Sequence, residues 1–155
     1  MLLDIAKRCI TKNQSTGDPR EYLRLIRRTP NDKRLHLKLA DSYLKMGKNE
    51  EAIGAYLKVA DLYAKEGFIF PAISIYKKVL SIDPKFVEAF EKMANLYLKE
   101  GLVGSARKCY QGVLKIRPNS PGALKALELI ESELVPGSFD TFSLQRMVPE
   151  KELAS

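Results

Sequence analysis

Apolar positions along the chain recur with a helical period, not a strand period. In three places an Ala is followed by Tyr three residues on and by Gly four further on: Ala40/Tyr43/Gly47 in ADSYLKMG, Ala60/Tyr63/Gly67 in ADLYAKEG and Ala94/Tyr97/Gly101 in ANLYLKEG. Residues three apart share a helix face. The small Ala admits a neighbouring helix closely, Tyr adds a broad contact with a polar tip, and Gly predicts a left-handed helix stop. A second helical string follows each Gly. EEAIGAYLKVA, PAISIYKKVL and SARKCYQGVL place Ala, Tyr and Val at i, i+4 and i+7, as Ala52/Tyr56/Val59, Ala72/Tyr76/Val79 and Ala106/Tyr110/Val113. That spacing is the buried stripe of an amphipathic helix. Pro84 and Pro118 end the last two strings, because the residue before a proline is pushed out of the helical region.

The intervals between these strings carry information of their own. Tyr22, Tyr56, Tyr76 and Tyr110 are separated by 34, 20 and 34 residues. The middle interval is short by 14, the length of one helix and its turn. Residues 49–66 hold both the second-string signature (Ala52, Tyr56, Val59) and the first-string signature (Ala60, Tyr63, Gly67), with Gly54 alone as a weak break. They are expected to form one long helix of about 27 Å. Its first half would close one repeat and its second half open the next, with an offset in the array at that point. A fainter copy stands one period upstream, with Ala6, Cys9, Asn13, Tyr22 and Pro30 in the corresponding places. Asn is the usual substitute for Gly at a left-handed helix end.

The nine positions Phe90, Met93, Ala94, Tyr97, Gly101, Ala106, Tyr110, Val113 and Pro118, spread over Val87 to Ser120, resemble the tetratricopeptide repeat. Phe90 stands where that pattern usually has Trp. The resemblance implies an all-α solenoid of antiparallel helix pairs, about seven or eight helices in all, with one long shared helix near 49–66. It implies a repeat domain over 1–134: a degenerate repeat at 1–32, repeats at 33–66 and 53–86 that overlap in the shared helix, a repeat at 87–120, and a capping helix at 121–134. The apolar face of that cap is assigned to Leu124, Leu127 and Ile130 or its neighbours, with Glu128, Glu131 and Glu133 outside. Residues 135–155 form a tail, a flexible or docking segment. Pro136, Gly137 and Pro149 interrupt it, while Phe139, Phe142, Leu144, Met147 and Val148 make it too apolar for an inert linker. The LYxKEG and EEAIxxY strings are closest in form to bacterial arrays.

Composition narrows the function classes. With 155 residues, 45% of them hydrophobic and 29% charged, the chain has ordinary globular values. Two cysteines, Cys9 and Cys109, stand 100 residues apart, which argues against a disulfide framework and for a reducing compartment. No signal-like apolar run opens the chain and no 18-residue apolar stretch occurs, so a soluble, cytoplasmic protein without membrane insertion is expected. The single His36 has no metal-ligand spacing around it and reads as the large first position of its repeat. Cys9 reads as core and Cys109 as partly exposed, and neither has a partner that suggests a nucleophile. The glycines are helix stops, not a phosphate cradle. No catalytic residue, metal site or cofactor is expected.

Charge and the repeat together locate candidate binding residues. The net charge is +7, and residues 1–60 hold 13 Lys/Arg against 7 Asp/Glu. The excess centres on Arg20, Arg24, Arg27 and Arg28, a candidate patch for an anionic partner or simply a solvated face. The resemblance implies that the first helix of each pair lines a concave groove where a peptide or partner helix docks. The positions concerned are Arg34, Leu37, Lys38, Asp41, Leu44 and Lys45, then Leu57, Lys58, Asp61, Ala64 and Lys65, then Glu88, Glu91, Lys92, Asn95, Leu98 and Lys99. Within them the pattern Lys38/Asp41/Lys45, Lys58/Asp61/Lys65 and Lys92/Asn95/Lys99 is either a ladder that grips a peptide or ordinary pairing along exposed helices. The Lys and Asn clamp by which some family members hold a terminal carboxylate is replaced by Leu37/Asp41, Leu57/Asp61 and Glu91/Asn95, so chaperone tails are not the expected ligand. The expected function is a non-catalytic adaptor that binds a partner protein or peptide. The alternatives are a nucleic-acid-associated protein using the basic segment 20–34, or self-association through the tail or an uncapped end of the array.

Overall fold

In a computed structural model, the structure describes residues 17–133. Those residues form seven α-helices: α1 (Pro19–Ile26), α2 (Lys33–Lys45), α3 (Asn49–Lys65), α4 (Ile69–Ile82), α5 (Val87–Lys99), α6 (Val103–Ile116) and α7 (Pro121–Glu133). There is no strand among the described residues. Ala6, Cys9 and Asn13 of the faint upstream copy, and the tail from 135, lie outside them. The long helix expected near 49–66 is α3, 17 residues without a break, about 26 Å at 1.5 Å per residue.

Local chemistry sets the helix ends. Asp18 caps α1 by accepting from the Arg20 N–H at 2.9 Å, and Pro19 takes the first turn, where its missing N–H costs nothing. Asp32 caps α2, accepting from the N–H groups of Arg34 and Leu35. At the other ends the three repeated glycines do the same job each time. Gly67 has φ +81°, its N–H donates to Ala64 O, and the next N–H, from Phe68, reaches back to Tyr63 O at 2.9 Å. Gly47 with Lys48 and Tyr43, and Gly101 with Leu102 and Tyr97, repeat that six-to-one closure. The accompanying side-chain contact is visible at Phe68, whose ring meets Tyr63 edge-on with centroids 6.2 Å apart. Asp83 and Arg117, the residues before Pro84 and Pro118, leave the helical region at φ −127° and −129°.

The chain divides into two compact units between Leu62 and Tyr63, inside α3. In the first unit α1 packs on α2. Its buried side chains include Tyr22, Leu39, Ala40, Ala52, Ile53, Tyr56, Val59 and Ala60, which are the repeat positions read from the sequence and their neighbours. Two polar groups in this core are satisfied: His36 Nε2 donates to Pro30 O at 2.7 Å, and Ser42 donates to Gly17 O. In the second unit α4 packs on α5, α5 on α6 and α6 on α7. Ala72, Tyr76, Val79, Ala94, Ala106, Tyr110 and Val113 are buried there. A Cβ on Gly112 would lie 2.8 Å from the Phe90 ring, so the missing side chain makes room for that ring against α6.

At three side chains the exposure differs from what the sequence suggested. The cap buries Ala123 and Ile130, while Leu124 is 48% exposed. The buried strip of α7 is therefore Ala123, Leu127 and Ile130 at i, i+4 and i+7, with Leu127 half-buried. Leu98, expected to line a groove, is buried. Cys109, expected to be partly exposed, is buried on α6.

Candidate functional site

The residues expected to meet a partner fall into two environments. On α2, Arg34, Lys38 and Lys45 are exposed, Leu37 is half-buried and so is Asp41. On α3, Lys58 is exposed, Asp61 half-buried and Lys65 exposed. On α5, Glu91 and Lys99 are exposed, whereas Lys92 and Asn95 are half-buried. Lys92 Nζ lies 3.5 Å from Glu88 Oε1 one helical turn away, a pair worth a few tenths of a kcal/mol (about 0.3–0.5) at such a site.

In two of the three Lys triplets the middle acceptor is held from beneath. Tyr56 on α3 donates its hydroxyl to Asp41 Oδ1 on α2. Tyr110 on α6 donates to Asn95 Oδ1 on α5 at 3.1 Å. Each acceptor is thus tied to the buried tyrosine 15 residues on, in the second helix of its own pair. This coupling was missed in the sequence, although a signal for it exists: the same interval of 15 separates Asp41 from Tyr56 and Asn95 from Tyr110. The bond restrains the acceptor's rotamer.

Burial also keeps the Tyr110 hydroxyl protonated, as its role of donor requires. Burial, with smaller contributions from Glu91 and Cys109, pushes the Tyr110 hydroxyl up to about 12. Burial likewise pushes the Cys109 thiol up to about 11, partly offset by Lys77. A thiol so held is neutral near pH 7 and a poor nucleophile. Among the described residues no group of three His, Cys, Asp or Glu side chains is placed to hold a metal ion. His36 is occupied with Pro30.

The basic segment lies on and just after α1. Arg20, Arg24, Arg27 and Arg28 are all exposed, and Leu23 between them is 41% exposed. Sequence reasoning gave no role to this leucine. The exposed Phe68 and Phe70 at the start of α4 were not singled out either; Phe68 is accounted for by its ring contact with Tyr63.

Comparison with known proteins agrees with this geometry. Two family models, both described as tetratricopeptide repeat, match residues 35–66 and 72–130, together more than half of the chain. The chain belongs to the tetratricopeptide repeat family, and its fold is the all-α solenoid of that family. No curated protein matches it. Among solved structures, a crystal structure of MamA is 18% identical, with a TM-score of 0.51 over 87% of this chain and 82% of that one. A second, of MamA protein, is 19% identical, with a TM-score of 0.52 over 97% and 87%. At that identity the likeness is one of fold. The first TPR of Spaghetti (RPAP3), solved bound to an HSP90 peptide, is 21% identical over 66% of this chain, but its TM-score of 0.46 is too loose to carry an argument. Among the described residues no helix is long and apolar enough to cross a membrane.

Proposed function

We propose that the chain is a non-catalytic adaptor whose first-helix surfaces, on α2 in the first unit and α5 in the second, hold a partner polypeptide. The observation that carries this reading is the pairing of exposed Lys with a tyrosine-anchored acceptor on both helices: Lys38 and Lys45 flank Asp41, and Lys99 follows Asn95. Helix pairs of this kind bury one face against their neighbours and leave the other for binding. A cation beside a fixed acceptor can bond both the carboxylates and the backbone N–H groups of an extended chain. The roles of Arg34, Leu37, Lys58, Asp61, Lys65, Glu91 and Lys92 in the same surfaces belong to this proposal.

Affinity capture from the source cell, with the wild type beside Lys38→Glu/Lys45→Glu and Lys99→Glu as bait, tests it. These positions are exposed, so circular dichroism and thermal midpoint stay close to the wild type. A prey lost with one charge-reversed bait and kept with the wild type supports the surface concerned. Identical prey sets for all three baits exclude both surfaces.

A further inference from the structure

We infer that α1 is a second docking surface of the first unit, distinct from the face proposed on α2, and that it takes an acidic segment with an apolar residue at its centre from a partner polypeptide. On a helix advancing 100° per residue, Arg20, Leu23, Arg24 and Arg27 fall within one stripe about 100° wide. Tyr22 points the other way and is 6% exposed, so it and Pro19 anchor the helix and leave the arginine stripe outward. None of the three arginines forms an ion pair with a described residue. Asp18 is occupied in capping, and Glu21 lies off the stripe, three residues before Arg24. The result is a compact cationic strip around an exposed leucine, bordered on its own helix by the single acid Glu21.

Charge complementarity defines the occupant. Arg20 and Arg24 are about 6 Å apart along the axis. Alternate side chains on an extended polypeptide repeat at about 6.7 Å, so two carboxylates two residues apart meet them in register. An apolar residue on the same edge would cover Leu23, removing from water a side chain that is 41% exposed. Phosphates would satisfy the arginines equally well, but single-stranded nucleic acid also asks for an aromatic surface on which bases stack. The aromatic ring of α1 is Tyr22, and it is buried. The strip therefore fits a polypeptide better than a nucleic acid strand.

Fluorescence anisotropy on the full chain decides it, with three labelled probes: a peptide in which Glu and Leu alternate with Ser, the same peptide with Gln for Glu, and a single-stranded oligothymidylate. The Glu peptide is expected to bind at 50 mM salt and to weaken as salt rises to 200 mM. Arg20→Gln/Arg24→Gln/Arg27→Gln abolishes this binding. Leu23→Ser, with every charge kept, weakens it by about tenfold, the size expected from uncovering one leucine contact. Lys38→Glu/Lys45→Glu leaves it unchanged, which separates this surface from the one on α2. The inference is overturned if the Glu peptide does not bind, if the Gln peptide binds as well, or if the triple arginine variant keeps its affinity. Binding lost in the Lys38/Lys45 variant would place the peptide on α2 instead. Tighter binding of oligothymidylate would make the strip a nucleic-acid surface.

Discussion

Tyr56 and Tyr110 occupy equivalent places in two helix pairs, yet their hydroxyls meet different acceptors. Tyr56 donates to the carboxylate of Asp41, Tyr110 to the amide oxygen of Asn95. A hydrogen bond to a charged group contributes about 1.5–3 kcal/mol, a neutral one about 1 kcal/mol. Tyr56→Phe is therefore expected to destabilise by about 2 kcal/mol and Tyr110→Phe by about 1 kcal/mol, because only the first leaves a half-buried carboxylate without its donor. Urea denaturation of the two single variants measures this; equal losses would show that the charge on Asp41 adds nothing. The sequence reading took Asp41 and Asn95 as groove-lining acceptors and the tyrosines as core, and the tyrosines are buried. What the helical period could not show is that the two are bonded, since a period assigns faces within one helix and says nothing of what crosses between two.

At the scale of the element, helix boundaries were the most legible feature of the chain. Each was written in residues that act locally: Gly47, Gly67 and Gly101 for the left-handed stops, Pro84 and Pro118 for the exits. The unbroken α3 was legible for the complementary reason, that two signatures met with no such residue between them. The cap was read less well. Counting large apolar residues favoured Leu124, but α7 buries the small Ala123 on the strip that continues through Leu127 and Ile130. Close approach of α6 favours the smaller side chain, and that preference depends on a neighbour the local pattern does not contain. Glycines inside helices divide in the same way. Gly54 in α3 has nothing within 4 Å of an added Cβ, whereas Gly112 in α6 has Phe90 at 2.8 Å. Replacing Gly by Ala in a helix interior gains about 0.5–1 kcal/mol when space allows, and overpacking costs about 1–3 kcal/mol. Gly54→Ala should thus raise stability, and Gly112→Ala should lower it by about 1 kcal/mol. A double-mutant cycle with Phe90→Leu checks the cause, for additive effects would acquit Phe90 as the obstacle.

For the molecule as a whole, the adjacent groups Cys109 and Tyr110 set how stability responds to alkali. Both sit in the second unit, and burial raises both: the thiol from 9.0 to about 11, the phenol from 10.0 to about 12. In the unfolded chain each loses its proton at its ordinary value, so between about pH 9 and 12 the unfolded state binds fewer protons than the folded one. Stability must then fall as pH rises. Their contribution is complete below pH 9; the thiol's share is lost between 9 and 11, the phenol's between 10 and 12. Groups that do not interact with Cys109 contribute equally to wild type and variant and cancel in the difference. Denaturation midpoints measured from pH 8 to 11 should decline less steeply in Cys109→Ala than in the wild type, and the two curves should begin to converge near pH 9. Parallel curves would mean that the thiol ionises in the folded protein as freely as in the unfolded one, and that α6 opens there readily enough to admit water.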